Sequence, residues 1–292
     1  MRTKFFLCAM SLATLAFVGC SDDDSHSGDN QAMGRMTVQL TDAPFPFDLV
    51  AEANVTVFKV EARLKGGDSL EDGSNFVVLM EEEIPVNLLD LTNGVTEELA
   101  DIDVPVGTYD QIRVYVKGVD VVLTDGRTFD LKVPSGEQSG IKIFIDPGIT
   151  VAGGLSTDLL LDFDVSESFV ATGNIDAVDG ITGFNFKPVI KVSNLSTAGT
   201  LAGTVTSLDG EASTPLEAVQ ITVLDDQGEP VTSAATNAQG QYAILGLETG
   251  SYTVSTSLNG YIESEPVEVD IVAANITTQD FVLVAETVEA GN

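Results

Sequence analysis

Apolar and polar residues alternate in short runs along most of the chain after about residue 35, which is the period of β-strands. Early examples are 35–41 (RMTVQLT) and 54–64 (NVTVFKVEARL). Turn residues separate the runs, and Thr124-Asp125-Gly126 predicts a hairpin between strands at 110–123 and 127–133. The pattern therefore predicts an all-β protein built from antiparallel sandwiches.

One stretch of the chain departs from this alternation. Residues 88–100 (LLDLTNGVTEELA) favour a short helix, because Asn93 or Thr96 could cap it and acidic residues follow in its first turn. We expect this to be the main helical element of an otherwise β-rich chain.

The strand pattern divides into two tandem domains. Residues 35–195 contain many short strands joined by Gly and Asp turns, and 199–285 contain about seven short strands, with Ala198-Gly199 marking the boundary and a tail at 286–292. Charge supports this division, since all 13 Lys and Arg residues lie at or before Lys191. A lysine-free second domain cannot form an internal Lys–Asn cross-link, so packing alone must stabilise it.

The N-terminus has the organisation of a secretory leader. Arg2 and Lys4 precede an apolar run at 5–18, which is short for a membrane span and typical of a signal-peptide core. The run ends at Phe17-Val18-Gly19-Cys20, which resembles the lipobox of bacterial lipoproteins. The resemblance implies that residues 1–19 are removed and that Cys20 is lipidated, and two or three acyl chains anchor a protein stably to a membrane.

The residues after Cys20 form an acidic tether at 20–34. Ser21, Asp22, Asp23 and Asp24 resemble the export signal of surface lipoproteins in Bacteroidetes-type bacteria, and an ordinary acidic tether is the alternative. The resemblance implies an outer-membrane protein, held by its lipid anchor only and facing the cell exterior.

Composition excludes several kinds of chemistry. A net charge of −32 repels nucleic-acid phosphates, so no nucleic-acid partner is expected. The chain has a single histidine, His26, which lies in the tether, and Cys20 is the one cysteine outside the leader. A Ser-His-Asp triad, a Cys-His pair or a His-based zinc site on the folded domains is thereby excluded.

Three aspartates and one serine are candidate sites. Asp162 and Asp164 alternate with apolar residues, so both carboxylates would lie on one strand face, where they could bind calcium or simply be solvated. Asp42 precedes Ala43-Pro44 and is either a further calcium ligand or a turn former. Asp68-Ser69-Leu70 resembles a bacterial O-glycosylation acceptor, which makes Ser69 a candidate. No cofactor other than calcium is indicated.

Ordered motifs in the first domain resemble a known family. They are TDAP (41–44), NLLDLTNGVTEELAD (87–101), VPVGTYDQIRVYV (104–116), LKVPSGEQSGIKI (131–143), LLLDFDVSES (159–168) and FKPVIKV (186–192). Together they look like the bacterial lipoprotein family known as domain of unknown function 4382. The resemblance implies an extracytoplasmic β-rich domain, and the family brings no established activity.

The second domain resembles a different family. GTVTSLDG (203–210), LEAVQITVLD (216–225) and TNAQGQYAILGLETGSYTVSTSLNGY (236–261) look like the carboxypeptidase regulatory-like domain. This family has a transthyretin-like sandwich, sometimes grouped with carbohydrate-binding-like folds. We expect Tyr242 and Tyr252 to bury their rings and bond their hydroxyls to the backbone, as in tyrosine corners. Val106-Gly107-Thr108-Tyr109 repeats the same G-x-Y pattern in the first domain.

These observations favour a non-enzymatic, surface-exposed lipoprotein that displays two β-sandwiches for binding or adhesion. The alternative is a carbohydrate-binding accessory lipoprotein of a polysaccharide-uptake system, although the chain has no Trp and only five Tyr to stack on sugars. An enzyme is the third hypothesis, but the sequence assembles no catalytic constellation. The expected ligand is an extracellular protein or a glycan, and the sequence names neither.

Overall fold

The structure is a computed structural model that describes residues 32–43, 49–66, 74–133, 138–209 and 212–286. The described residues belong to one compact unit. The described residues are mostly strands, and the prediction of an all-β, two-sandwich fold is confirmed.

Among its described residues, the first domain contains twelve strands and one short α-helix. The strands are β1 (Met33–Ala43), β2 (Val50–Leu64), β3 (Phe76–Met80), β4 (Ile84–Asn87), β5 (Glu97–Pro105), β6 (Gly107–Leu123), β7 (Thr128–Leu131), β8 (Ile141–Val151), β9 (Ser156–Asp164), β10 (Phe169–Gly173), β11 (Ile181–Phe186) and β12 (Ile190–Asn194). The helix α1 (Val165–Ser168) follows β9, and 3₁₀ turns occur at Leu88–Leu91 and Val178–Gly180.

Two main sheets of the first domain share one apolar core. One sheet has the order β12-β9-β1-β5, and the other has the order β3-β2-β6-β7, with β4 beside β2 and β8 beside β6. The large buried side chains Met36, Leu40, Tyr109, Ile112 and Phe163 come from both sheets. Full burial of side chains of this size is worth about 1.5–3 kcal/mol each, so the two faces are held together mainly by this core.

The predicted helix at 88–100 is wrong. A 3₁₀ turn covers only Leu88–Leu91, and the chain then extends into β5 at Glu97–Pro105, which pairs antiparallel with β1. Two features explain the difference. Asn93 has a φ of 56° and Gly94 a φ of 81°, so the Asn-Gly pair interrupts any helix. The long ladder with β1 then outweighs the modest helix propensity of the last residues.

In the part that the structure describes, the second domain contains ten strands. They are β13 (Gly199–Asp209), β14 (Ala212–Pro215), β15 (Gln220–Leu224), β16 (Pro230–Ala235), β17 (Gln241–Leu247), β18 (Gly250–Ser257), β19 (Tyr261–Ile262), β20 (Val267–Ile271), β21 (Ile276–Thr278) and β22 (Phe281–Ala285). A sheet β16-β15-β18-β20 faces a sheet β14-β13-β22-β19 in which β17 and β21 also pair with β13. A separate apolar core includes Leu201, Ile221, Tyr242 and Val254.

The sheets are mixed, although the sequence predicted antiparallel ones. β1 runs parallel to β9 in the first domain, and β13 runs parallel to β21 and β22 in the second. In each case many other strands lie between the two paired strands in the sequence. The long connection allows the second strand to run in the same direction as the first. Local alternation carries no information about the direction of such distant partners.

Both domains contain a tyrosine corner, as the repeated G-x-Y pattern predicted. The Tyr109 hydroxyl donates to the Pro105 carbonyl at 2.8 Å, and the Tyr252 hydroxyl donates to the Glu248 carbonyl at 3.1 Å, four residues back in each case. Burial raises the pKa of Tyr109 to about 12. Tyr242 instead donates across its sheet to the Gln279 carbonyl at 2.6 Å, and burial raises its pKa as well.

Candidate functional site

The second domain packs on the outer side of strand β9. Leu160 on this strand is 1% exposed, yet within the described residues it is part of neither apolar core. It faces Gly246, where an added Cβ would lie 3.0 Å from the Leu160 Cδ2 atom. The outer face of β9 is therefore buried by the second domain.

Polar contacts cross the same junction. The Ser193 hydroxyl on β12 donates to the Gly246 carbonyl at 2.8 Å, and the Lys191 Nζ atom donates to the Val231 carbonyl at 3.0 Å. Both acceptors are main-chain carbonyls of the second domain, so the contact depends on backbone positions and not on flexible side chains. The two sandwiches meet through a defined interface.

A small cavity of about 20 Å³ lies within this junction. The first domain contributes Thr41, Asp42, Asn93, Gly94 and Asp162, and the second domain contributes residues of 232–234 and 243–245. A site needs about 10–15 Å³ of such space to hold one water molecule. The cavity can therefore hold a water molecule or a single ion, and it cannot hold an organic substrate.

Strand pairing and a turn bring the polar groups of the cavity together. The parallel register of β1 and β9 aligns Thr41 with Asp162, which places Asp42 one residue further along. Asn93 follows the 3₁₀ turn and has a left-handed backbone. Apart from Gly, Asn is one of the few residues that tolerate this conformation. The Thr41 hydroxyl holds this turn on β1, with Oγ1 distances of 3.0 Å to the carbonyls of Leu91 and Val95.

Asp42 is the most unusual residue of the cavity. It is 5% exposed, and its Oδ1 atom accepts a hydrogen bond from the Val165 backbone N–H at 3.1 Å. Its Oδ2 atom has no hydrogen-bond partner among the described residues. Burial raises the pKa of this carboxyl well above its usual value, the Val165 hydrogen bond opposes the shift, and the charges of Asp162 and Asp164 add to it.

Asp164 does not join the other two carboxylates in the cavity. Its Oδ1 atom accepts hydrogen bonds from the Ser166 hydroxyl at 2.7 Å and the Glu167 backbone N–H at 3.0 Å, so it caps α1. Its Oδ2 atom lies 3.7 Å from the Lys191 Nζ atom. The expected pair of Asp162 and Asp164 is thus divided, and Asp162 lines the same cavity as Asp42 instead.

Neither carboxylate is a freely solvated surface group. Asp164 is 8% exposed, and Asp162 is half-buried because the second domain covers this face of β9. The sequence pattern placed these residues on an outward face, and it could not show that another domain lies against that face.

Asn93 is a member of the cavity that the sequence predicted only as a helix cap. Its Oδ1 atom is buried without a hydrogen-bond partner in the described part of the chain. The signal that could have indicated a turn is the Asn-Gly pair itself, which favours left-handed backbone.

The remaining predicted site residues cannot be placed. Cys20, Ser21, Asp22, Asp23 and Asp24 lie outside the described residues, as does Ser69. Over residues 32–286, apart from the undescribed gaps, no set of three or more His, Cys, Asp or Glu side chains converges as a metal site. A search of the same residues for a helix long and apolar enough to cross a bilayer finds none.

The fold and its junction define a two-domain β-sandwich protein. The chain belongs to the family described as Domain of unknown function (DUF4382), which matches residues 33–188 and thus more than half of the chain. The family described as Carboxypeptidase regulatory-like domain matches residues 200–284. Both predicted resemblances are confirmed, in the predicted order. A search of curated proteins finds no match.

A comparison with solved structures finds matches at low identity. The minor pilin GBS52 of Streptococcus agalactiae is 11% identical, with 88% of this chain and 99% of that chain covered and a TM-score of 0.30. The shaft pilin SpaA of Lactobacillus rhamnosus GG is 10% identical, with 87% and 99% covered and a TM-score of 0.27. The TIE protein of Bacillus anthracis is 15% identical, with 87% and 34% covered and a TM-score of 0.26. All three TM-scores lie below 0.5, so these similarities carry no argument about this chain.

Proposed function

We propose that this protein is a non-enzymatic surface lipoprotein that presents two β-sandwiches as one rigid unit for binding or adhesion. The observation that carries the proposal is the junction, where Leu160 is buried outside both cores and Ser193 and Lys191 bond to backbone carbonyls of the second domain. Two domains fixed in this way present their loops at constant spacing, which suits recognition of an external partner.

The proposed position of the protein rests on its N-terminal sequence. The lipobox-like FVGC segment supports lipidation of Cys20, and the following Ser21-Asp22-Asp23-Asp24 supports export to the outer face of the outer membrane. The net charge of −32 gives no favourable interaction with anionic headgroups, so attachment to the membrane would depend on the acyl chains.

The proposal is tested by two variants expressed in a Bacteroidetes-type host. Cys20→Ala is expected to release the protein from membranes or to block removal of the leader. Replacing Asp22, Asp23 and Asp24 with Ala is expected to leave the protein membrane-bound but resistant to protease added to intact cells. Protease access that is unchanged in the triple variant would contradict the export step, and membrane attachment that survives Cys20→Ala would contradict the anchor.

A specific observation also favours glycan binding as a second candidate function. Phe144 is 69% exposed and lies at a groove of about 610 Å³ that is lined by residues of both domains, including Asn194 and Glu248. An exposed aromatic ring beside polar side chains is an arrangement that could stack on a sugar. Binding on a glycan array that is lost in Phe144→Ala and kept in Leu155→Ala, an apolar control that is 63% exposed, would support this function. Absence of any glycan binding would leave the adhesion proposal as the better one.

A further inference from the structure

We propose that the second domain docks a basic, partly apolar segment of a partner protein at one end of its sandwich. The docking surface consists of an apolar face, formed by Ile262, Val282 and Val284, and of an adjoining groove that contains Glu263 and Glu286. This inference rests on the proposed binding function and deepens it, because it names the surface that binds and the chemistry of the partner.

Strand β22 has the composition of a strand that is covered on both faces. Phe281 and Leu283 belong to the core of the second domain, whereas Val282 and Val284 alternate with them and are each more than half exposed. When one face of a strand meets solvent, that face is normally polar, and a continuous apolar run is typical of strands buried on both sides. The described residues therefore leave uncovered a face whose sequence indicates burial.

The neighbouring strand extends this apolar face. Ile262 on β19 lies directly opposite Val284 in the antiparallel ladder and is also more than half exposed. Strand β20 of the same domain follows the usual pattern, since its exposed positions include Glu268 and Asp270. The apolar face is thus a local feature of β19 and β22, and contiguous exposed apolar side chains of this kind mark interaction sites.

A groove of about 700 Å³ adjoins the apolar face, and this volume is in the range of ligand-binding clefts. Its lining includes Gln220 at the start of β15 and Ser257 at the end of β18, which pair in one sheet. The turn after β18 and Glu286 after β22 also line it, and the Glu286 N–H donates to the Gly260 carbonyl at 2.9 Å. Ile262 lines the groove as well, so the groove and the apolar face form one surface.

Charge identifies the kind of partner. From Ser193 to the end, the chain has 14 Asp and Glu residues and neither Lys nor Arg, so the second domain contains no cation of its own to pair with a carboxylate. Glu263 and Glu286 are both exposed, and the salt bridges found among the described residues all lie within the first domain. Tyr261 lines the groove beside them, and aromatic rings attract ammonium and guanidinium groups.

The same charge argues against other occupants of the surface. A second copy of this chain carries the same strong negative charge, which opposes self-association. Residues 287–292, which follow Glu286, contain one Glu and neither Lys nor Arg, so they do not complement the groove. A segment that carries both Lys or Arg and apolar side chains complements the groove and the apolar face together.

The experiment measures peptide binding by fluorescence polarisation to the chain from residue 20 onward, with Cys20→Ala to prevent acylation. Three short peptides of equal length alternate Lys with Leu, Lys with Ser, or Glu with Leu. Glu263→Gln combined with Glu286→Gln removes the charge of the groove. Glu265→Gln combined with Glu268→Gln is the matched control, because it removes two exposed carboxylates of the same domain that do not line the groove.

A second pair of variants tests the apolar face. Ile262→Ser combined with Val284→Ser makes the face polar, whereas Val272→Ser combined with Ile276→Ser changes two exposed apolar residues elsewhere in the domain. The melting temperature of each variant is measured beside binding, and it should stay close to that of the wild type because all the changed side chains are exposed.

We expect the Lys-Leu peptide to bind more tightly than either of the other two. Its affinity should fall about fivefold without the groove carboxylates, because each exposed ion pair contributes modestly. It should fall about tenfold when the apolar face is made polar, since buried apolar contacts dominate such interfaces. Both control variants should bind like the wild type at physiological ionic strength, where distant charges are screened.

Several results would overturn the proposal. They are failure of the Lys-Leu peptide to bind, equal binding of the Glu-Leu peptide, and equal losses in the groove and control variants. Self-association that is lost in the variant of Ile262 and Val284 would assign the surface to a second copy, and peptide binding that requires removal of 287–292 would assign it to the tail. Because the assayed chain has no anchor, loss of peptide binding would leave surface display standing, and failure of export would leave peptide binding standing.

Discussion

The tyrosine corners and the junction cavity both bury polar atoms, but they do so in opposite ways. The hydroxyls of Tyr109 and Tyr252 reach carbonyls four residues back, so each buried or half-buried donor has its acceptor close by in the chain. The Oδ2 atom of Asp42 has no hydrogen-bond partner among the described residues, although Asp42 is 5% exposed.

The tyrosine corners are part of the construction of the fold, whereas the junction cavity has the features of a specialised site. A corner satisfies its polar group locally and stabilises the hairpin that carries it. The junction retains two buried oxygens, Asp42 Oδ2 and Asn93 Oδ1, that have no hydrogen-bond partner among the described residues. Local rules of sequence and structure are most often broken at functional positions, so the comparison directs attention to the junction.

The largest loss of stability is expected when a side chain is added at Gly246, in the junction between the two domains. Gly246 has a φ of 74°, and an added Cβ would lie 3.0 Å from both the Leu160 Cδ2 and Ser193 Cβ atoms. Gly246→Ala should cost about 1–2 kcal/mol for the left-handed backbone and about 1–3 kcal/mol for overpacking. Urea denaturation, followed by limited proteolysis of the inter-domain segment, measures the loss.

A matched control distinguishes strain of the backbone from disruption of the junction. Gly228 has a φ of 79° and no atom within 4 Å of the added Cβ position. Gly228→Ala should therefore lose only the backbone part, about 1–2 kcal/mol. Equal losses in the two variants would show that the contact with Leu160 contributes nothing to stability.

A smaller loss of stability is expected when the tyrosine hydroxyl of either corner is removed, and the loss should differ between the two domains. Tyr109 is fully buried, so Tyr109→Phe should lose about 1–1.5 kcal/mol, whereas Tyr252 is half-buried and Tyr252→Phe should lose about 0.5 kcal/mol. Chemical denaturation of each variant measures the two values. A larger loss of stability in Tyr252→Phe than in Tyr109→Phe would contradict this interpretation of the two corners.

The corners could be predicted from the sequence because each is a local structure. The order Gly-x-Tyr fixes a turn, a strand start and an aromatic ring within a few residues, and both hydroxyls bond to residues four positions away. Alternation likewise predicted the hairpin of β6 and β7 about Thr124-Asp125-Gly126, where Gly126 has a φ of 86°.

The junction could not be predicted, because its members are far apart in the chain. Asp42, Asn93 and Asp162 come from three separated segments, and residues 232–234 and 243–245 of another domain close the cavity. Their meeting depends on the parallel pairing of β1 with β9. Local periodicity predicts which residues face outward, but it does not show which outward faces are later covered.

The titration of Asp42 is the most direct test of the claim that the junction holds an uncompensated carboxylate. Because burial raises the pKa of Asp42 well above its ordinary value of 3.8, the folded protein retains this proton at pH values where the unfolded chain has lost it. The free energy of unfolding contributed by this group is therefore greatest below about pH 4 and declines as the pH rises towards the raised value. Asp42→Asn has no such group, so its stability should not decline in this way.

The decisive measurement is the melting temperature of the wild type and of Asp42→Asn in EDTA, from pH 4 to pH 8. We predict that the two proteins differ least at pH 4 and that the Asn variant gains an increasing advantage as the pH rises. Asp158→Asn, which removes a carboxylate that accepts a hydrogen bond from Ser156 outside the cavity, should show no comparable gain. A constant difference between the wild type and Asp42→Asn over this range would contradict the account, since it would mean that Asp42 titrates as an ordinary solvated carboxylate.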